Sequence, residues 1–303
     1  MGPRSPYSAT NLLMDSGARE WEVTGGPAAL VGSLVSAAEA AGVRMLTGTE
    51  ALGIELSAER VTGVRVDGEI LAGDVLMTGA PTGLLTLLPA WRMPARMVRE
   101  LENIRTRGTC AKLHLALNAP MVVAARKASF DHMLLGAEHP LDLERCFDDA
   151  KHRRLPRRPW LDVRQLTGDC APAGHAVLSI MVHCAAHDLD GGWTPGAREA
   201  LKQSVLAVLA ESDPDIAAKV VHAELLAPSD LEQRYGLVGG HLFHGERMVD
   251  QWYAMRPSLH LSRHATDLPG LFLGSMGTHP GGGITGGPGL LAAERMLSVS
   301  GAS

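Results

Sequence analysis

The residues best placed to do chemistry lie near the end of the sequence, at positions 270–297, GLFLGSMGTHPGGGITGGPGLLAAERML. An apolar run, Leu271-Phe272-Leu273-Gly274, leads into seven further glycines between Gly277 and Gly289, and an Ala/Leu-rich helical pattern follows. Glycine has no side chain to hold a ligand away, so such a loop brings bare backbone amides against whatever binds there. The start of the following helix carries partial positive charge and favours an electron-rich group. No Gly-Lys-Ser/Thr follows the glycines, so this is not a P-loop. A flexible tail is the bland alternative, but an apolar strand and an apolar helix would not frame one.

Other chemistry-bearing clusters are weaker. His183 and His187 flank Cys184-Ala185-Ala186 at a spacing that shares one helical face, yet they end the apolar run AVLSIMVHCAAH, which reads as a strand entering a loop. That cluster has neither a strong third ligand nor the glutamate of a zinc-protease helix. Cys110, Cys146, Cys170 and Cys184 are widely spaced with no Cys-x-x-Cys, and buried free thiols are expected. The basic segment KHRRLPRRPW at 151–160 reads as a solvated loop, with docking of an acidic partner as the other reading.

The elements that must position the glycine loop come next. Gly25-Gly26-Pro27 followed by ALVGSLVSAAEAAGVR predicts an amphipathic helix ending near Gly42. VRMLTGTEALGIEL, VTGVRVD and EILAGDVLMTGA are three β-type runs, with Asp67-Gly68 as the hairpin turn between the last two. Helical text broken by two prolines fills 81–107. TCAKLHLALNAP, AVLSIMVHCA and KVVHAELLAP are further strands, with a helix from Pro195 capped by Thr194 between the last two. Leu271–Gly274 should join the sheet that contains Val75 to Thr78.

The loop GTHPGGGITGGPGLLAA resembles the C-terminal flavin-binding signature of the phytoene desaturase-like FAD-dependent oxidoreductases of the amine oxidoreductase superfamily. The likeness is strongest to the branch containing pyridine nucleotide-disulfide oxidoreductase domain-containing protein 2. Residues 226–257, LAPSDLEQRYGLVGGHLFHGERMVDQWYAMRP, and the helix and strand from Gly25 also resemble that branch. The resemblance implies FAD as cofactor. It places Gly274 and Ser275 at the ribityl and phosphate region, and Gly281, Gly282, Gly283, Ile284 and Thr285 along the isoalloxazine. Ala51 falls where a main-chain group meets the adenine. His279 sits beside the flavin, a candidate for catalysis or, more simply, for a hydrogen bond that orders the loop.

The family opens with a strand and a Gly-x-Gly-x-x-Gly turn that holds the pyrophosphate. No plausible first strand precedes Gly25-Gly26. The expected fold class is therefore α/β: a Rossmann-like FAD-binding domain without its first βαβ unit, plus an α+β substrate domain. Residues 20–84 and 266–303 are assigned to the first, and 1–19 and 85–265 to the second. The expected function is half of an FAD-dependent oxidoreductase that dehydrogenates or oxidises a hydrophobic small molecule, with hydride passing to flavin N5, completed by a partner chain carrying the dinucleotide-binding half. The alternative is a non-catalytic truncated relative that acts as a binding protein. A net charge of -5 over 303 residues, without long runs of one sign, argues against nucleic acid. The lack of an apolar stretch long enough to span a bilayer, or of a secretory leader, suggests a cytoplasmic protein.

Overall fold

A computed structural model describes residues 23–125 and 128–300. Residues 1–19, assigned above to the substrate domain, lie outside the described residues. The chain starts with α1 (Gly26–Ala40), followed by an antiparallel meander of β1 (Gly53–Ser57), β2 (Arg60–Val66) and β3 (Glu69–Ala72). The expected turn is present: Val66 pairs with Glu69, leaving Asp67 and Gly68 as a two-residue loop, with Gly68 at φ 78°. β4 (Val75–Met77) returns from the meander, and α2 (Ala95–Glu102) follows the proline-broken segment.

Further along lies a five-stranded antiparallel sheet, built from β5 (Cys110–Leu117), β6 (His132–Leu135), β7 (Leu161–Leu166), β8 (Ala176–His183) and β9 (Val220–Leu226) in the order β6-β7-β8-β5-β9. α3 (Pro140–Lys151) connects β6 to β7, and α4 (Pro195–Ala210) connects β8 to β9. Strict alternation in β5 and β8 sends Leu113, Leu115, Leu178 and Ile180 to one face, where Leu201, Val205 and Leu209 of α4 cover them, all fully buried. The Thr194 hydroxyl caps α4 by accepting from the Ala197 amide at 3.2 Å. α5 (Pro228–Tyr235) leads into a long irregular stretch, then β10 (Leu271–Leu273) and α6 (Gly287–Ser300).

β10 lies parallel to β4, with Leu271 opposite Val75 and Leu273 opposite Met77, so the final strand joins the expected one. A second core binds Ile54, Val61, Leu84, Leu88, Met97, Leu101, Leu261, Leu271 and Leu273 together. Residues 85–104, placed by the sequence in the other domain, thus pack with β1, β2 and β10, because α2 turns Met97 and Leu101 inward.

Three expectations need correction. The first β-type run, 43–56, forms a strand only at its end: β1 begins at Gly53, the Leu52 amide just ahead of it donates to the Arg65 carbonyl at 2.8 Å, and Val43, Met45 and Leu46 are 49%, 48% and 43% exposed outside the β1–β2 pairing. The amphipathic helix α1 buries no residue, and Val31 and Leu34 face outward. Cys170 is exposed rather than buried, in a short 3-10 turn, while Cys146 and Cys184 are buried as expected. The basic segment is matched by acidic neighbours: Arg153 meets Asp188 and Asp190, Arg154 meets Asp148 and Asp149, and Arg158 meets Glu211. His183 and His187 diverge after the strand, His183 stacking on Trp160 and His187 Nε2 lying 2.7 Å from Glu232 Oε2.

Candidate functional site

The glycine loop begins where β10 ends. The Gly274 amide donates to the Met77 carbonyl at 2.9 Å and so extends the β4–β10 ladder by one residue. A methyl on Gly274 would lie 2.8 Å from Ala292 Cβ and 3.0 Å from Leu76 Cδ1, so only a bare Cα lets α6 pack onto the strand end. Ser275, 4% exposed, folds a tight turn: its Oγ accepts from the Gly277 amide, and its carbonyl accepts from the Thr278 amide and hydroxyl at 2.9 and 2.6 Å. Gly277 packs against Pro81 and His244.

Arg256, which the sequence reading did not single out, holds the other side of this turn. The side chain is 2% exposed and has no carboxylate partner among the described residues. Its guanidinium donates to five backbone carbonyls, those of Met276 at 2.8 Å, Gln251 at 3.0 Å, Glu246 and Gly245 at 3.2 Å, and Phe243. Burial, with the nearby Arg247 charge, pulls its pKa down to about 10. Five donors in a rigid fork suit this task, which an ammonium could not perform. Gly281 sits on the Arg256 stem, where a Cβ would approach Cδ to 2.9 Å.

Beyond Gly281 the loop opens outward. Gly282 has φ 98°, and no heavy atom lies within 4 Å of where a Cβ would stand on Gly282 or Gly283. Ile284 is 91% exposed. Thr285 closes the loop by donating its amide to the Gly283 carbonyl at 2.9 Å and accepting the Gly287 amide on Oγ1 at 3.2 Å. The amides of Gly282, Gly283 and Ile284 have no hydrogen bond among the described residues. They stand ahead of the first turn of α6, where the helix dipole adds positive charge.

Imidazoles surround the inner part of the loop. His279 packs edge-on to Tyr253 at 4.8 Å between ring centroids, with His264 at 6.4 Å. Among the described residues His279 Nδ1 is buried without a hydrogen-bond partner, and its ring packs against Tyr253. His264 Nδ1 lies 2.9 Å from the Leu273 carbonyl while its Nε2 is buried and unpartnered, as is His244 Nδ1. Burial lowers the pKa of both His244 and His264, and burial together with the Arg256 charge takes His241 down to about 4. His241, His244 and His264 are therefore neutral at pH 7 and offer lone pairs and N–H donors rather than charge. His244, Tyr253 and His264 also sit at φ 55°, 49° and 66°, left-handed values that cost side-chain-bearing residues of order 1 kcal/mol or more and gather at working sites.

The expected site residues therefore fall into two places. Gly274, Ser275, His279 and residues 281–285 form one continuous turn and loop. Ala51 lies apart, in a cavity of about 390 Å³ lined by Leu46, Val64, Val66, Leu71 and Val75. β4 connects the two, since it lines that cavity through Val75 and Leu76 and carries β10 on its ladder. Arg256, His244 and His264 escaped notice because their partners are loop carbonyls and rings that no local spacing reveals.

No family model matches the chain. It is 30% identical over 290 residues to pyridine nucleotide-disulfide oxidoreductase domain-containing protein 2 of Rattus norvegicus, a match covering 90% of this chain and 50% of the relative. It is 28% identical over 315 residues to hydroxyneurosporene desaturase of Rubrivivax gelatinosus, covering 97% of this chain and 56% of that one. Among solved structures, an oxidoreductase from Methanosarcina mazei shares the fold with a TM-score of 0.55 at 16% identity, over 91% of this chain and 54% of its own. The chain spans about half the length of the curated relatives it matches.

Proposed function

Because this chain is a relative of the phytoene desaturase-like, FAD-dependent oxidoreductases, we propose that it supplies one half of an FAD site for the dehydrogenation of a hydrophobic small molecule. A dinucleotide-binding half on a second chain completes the site. The observation that carries this reading is the open loop at 282–285, where free amides, an empty Cβ space and an exposed isoleucine stand at the start of α6.

That cradle fits a flat ring with an electron-rich edge: the amides donate to the edge, the glycines admit the plane, and Ile284 covers a face. FAD, when bound, supplies the hydride acceptor. This chain's residues position and enclose: Arg256 fixes the loop's inner turn, and the neutral His244 and His264, with the His279 ring beside them, give that turn a polar lining. Ala51 and its cavity lie on the adenine side in this reading, with Gly274 and Ser275 between. Residues 20–84 and 266–303 then form the cofactor unit, and the five-stranded sheet with its helices covers the substrate. This chain spans about half the length of the relatives it matches, and one of them is named a desaturase, which supports dehydrogenation.

Gly283→Val tests the reading. Its backbone angle is not left-handed and the space around it is free of protein atoms, so a branched side chain is compatible with folding yet fills the proposed ring space. Flavin absorbance per complex, purified with the dinucleotide-binding chain, falls at least tenfold while the variant's thermal unfolding matches wild type. Equal flavin content in the two complexes overturns the placement.

A further inference from the structure

We propose that Cys146 and Cys184 form a dithiol that hydroperoxides oxidise to a disulfide, with Cys146 as the attacking sulfur and Cys184 as the resolving one. The two cysteines come from different elements, α3 and the end of β8, and meet in one small buried cluster with Ala150, Ala186, Phe147 and Trp160. Cys146 Sγ lies 3.9 Å from the His183 carbonyl, the peptide group that precedes Cys184. Cys184 is held at φ 66°, a conformation a buried side-chain-bearing residue adopts at a cost.

Access and reactivity both favour Cys146. It lines a cavity of about 530 Å³ whose wall mixes Arg145, Arg157 and Arg158 with acidic side chains including Asp148 and Asp149, yet is only 3% exposed. A small oxidant can reach such a sulfur, whereas a bulky disulfide cannot. A hydrogen bond from Cys184 holds the Cys146 thiol below its ordinary pKa, and Cys184 is correspondingly pushed up. The remaining thiols are excluded by their surroundings. Cys110, beside His183 Nδ1 at 3.5 Å, is pushed up to about 11 by burial and stays protonated. Cys170 is exposed, outside the cluster.

In the first step the Cys146 thiolate attacks a peroxide oxygen; the O–O bond breaks, the leaving hydroxide takes a proton as water, and Cys146 becomes a sulfenic acid. In the second, the Cys184 sulfur attacks the Cys146 sulfur; the S–O bond breaks, and the hydroxyl departs with the Cys184 proton as water. Two thiols are oxidised by two electrons and one hydroperoxide is reduced. The product ties α3 to the end of β8.

The test uses the full chain with Cys170→Ser, so that one peptide carries a single relevant cysteine, treated with equimolar hydrogen peroxide, alkylated under denaturation and mapped by mass spectrometry. The expected result is a linked Cys146–Cys184 peptide pair lighter by two hydrogens, reversed by dithiothreitol, with Cys110 alkylated throughout. Adding Cys184→Ser should leave Cys146 as a sulfenic acid that dimedone labels, while the parent takes up at least tenfold less label. Full alkylation of Cys146 and Cys184 after treatment overturns the proposal, as does linkage of either one to Cys110.

Discussion

Arg256 carries a charge into the protein with only carbonyl oxygens to meet it, five of them drawn from the segment 243–251 and from Met276. Hydrogen bonds to a charged group contribute about 1.5–3 kcal/mol each when solvent is excluded, and a buried carbonyl left alone costs on the same scale. Arg256→Lys retains the charge but cannot reach five acceptors, so urea unfolding should show a loss of about 3 kcal/mol or more; a loss under 1 kcal/mol would mean that the loop is held elsewhere. The buried histidines predict a pH dependence whose sign can be derived. His183 and His241 are lowered to about 4 in the folded chain, chiefly by burial, against an ordinary 6.5. As pH falls through 6.5 the unfolded chain takes up protons first, so this stability is complete above 6.5 and is lost progressively down to about 4. Each histidine accounts for up to about 3 kcal/mol of that loss by linkage. The urea midpoint should drop steeply between pH 6.5 and 4, and His183→Gln should flatten the slope relative to wild type.

Among the elements, the junction of β10 with α6 depends on one missing methyl. Gly274→Val places atoms 2.8 Å from Ala292 Cβ and 3.0 Å from Leu76 Cδ1, with strand ladder on one side and helix on the other. Overpacking of this kind costs about 1–3 kcal/mol. Thermal unfolding should shift down by several degrees for Gly274→Val and stay unchanged for Gly283→Val, although the two positions are nine residues apart in one glycine-rich stretch. The contrast explains what was legible in advance. The Asp67-Gly68 turn, the Thr194 cap and the β-type runs of β5 and β8 are local patterns, and each formed where expected. α3, α5, β6 and β7 were not distinguished, because their apolar spacing is short and charge-rich. Of the run 43–56 only the part from Gly53 is a strand, because the residues ahead of it fall outside the β1–β2 pairing and a strand requires a neighbour as well as a pattern. At the site, the glycine runs and His279 pointed to the loop, while Arg256, His244 and His264 became visible only once distant segments met.

At the scale of the whole molecule, α1 and the segment after it carry apolar groups with no cover among the described residues. Val31 and Leu34 of α1 are 60% and 63% exposed, and Met45, Leu46 and Leu52 are 48%, 43% and 48% exposed on the segment that follows. An apolar surface of this kind on a domain marks an interface or an aggregation liability. The proposed second half bears on the same point from the cofactor's side, since the open amides at 282–284 can hold a ring edge but the pyrophosphate needs a further glycine turn. Losing several charge-assisted hydrogen bonds of about 1.5–3 kcal/mol each lowers affinity by orders of magnitude. The 303-residue chain by itself should therefore purify colourless and self-associate with rising concentration, as sedimentation or gel filtration would show. Val31→Glu with Leu34→Glu should reduce that association without lowering thermal stability, since neither side chain is buried, and should also block assembly with the dinucleotide-binding chain. A wild-type chain that stays monomeric and keeps stoichiometric FAD through gel filtration would show that the pyrophosphate is held within these residues, and that the exposed apolar side has no second half to bind.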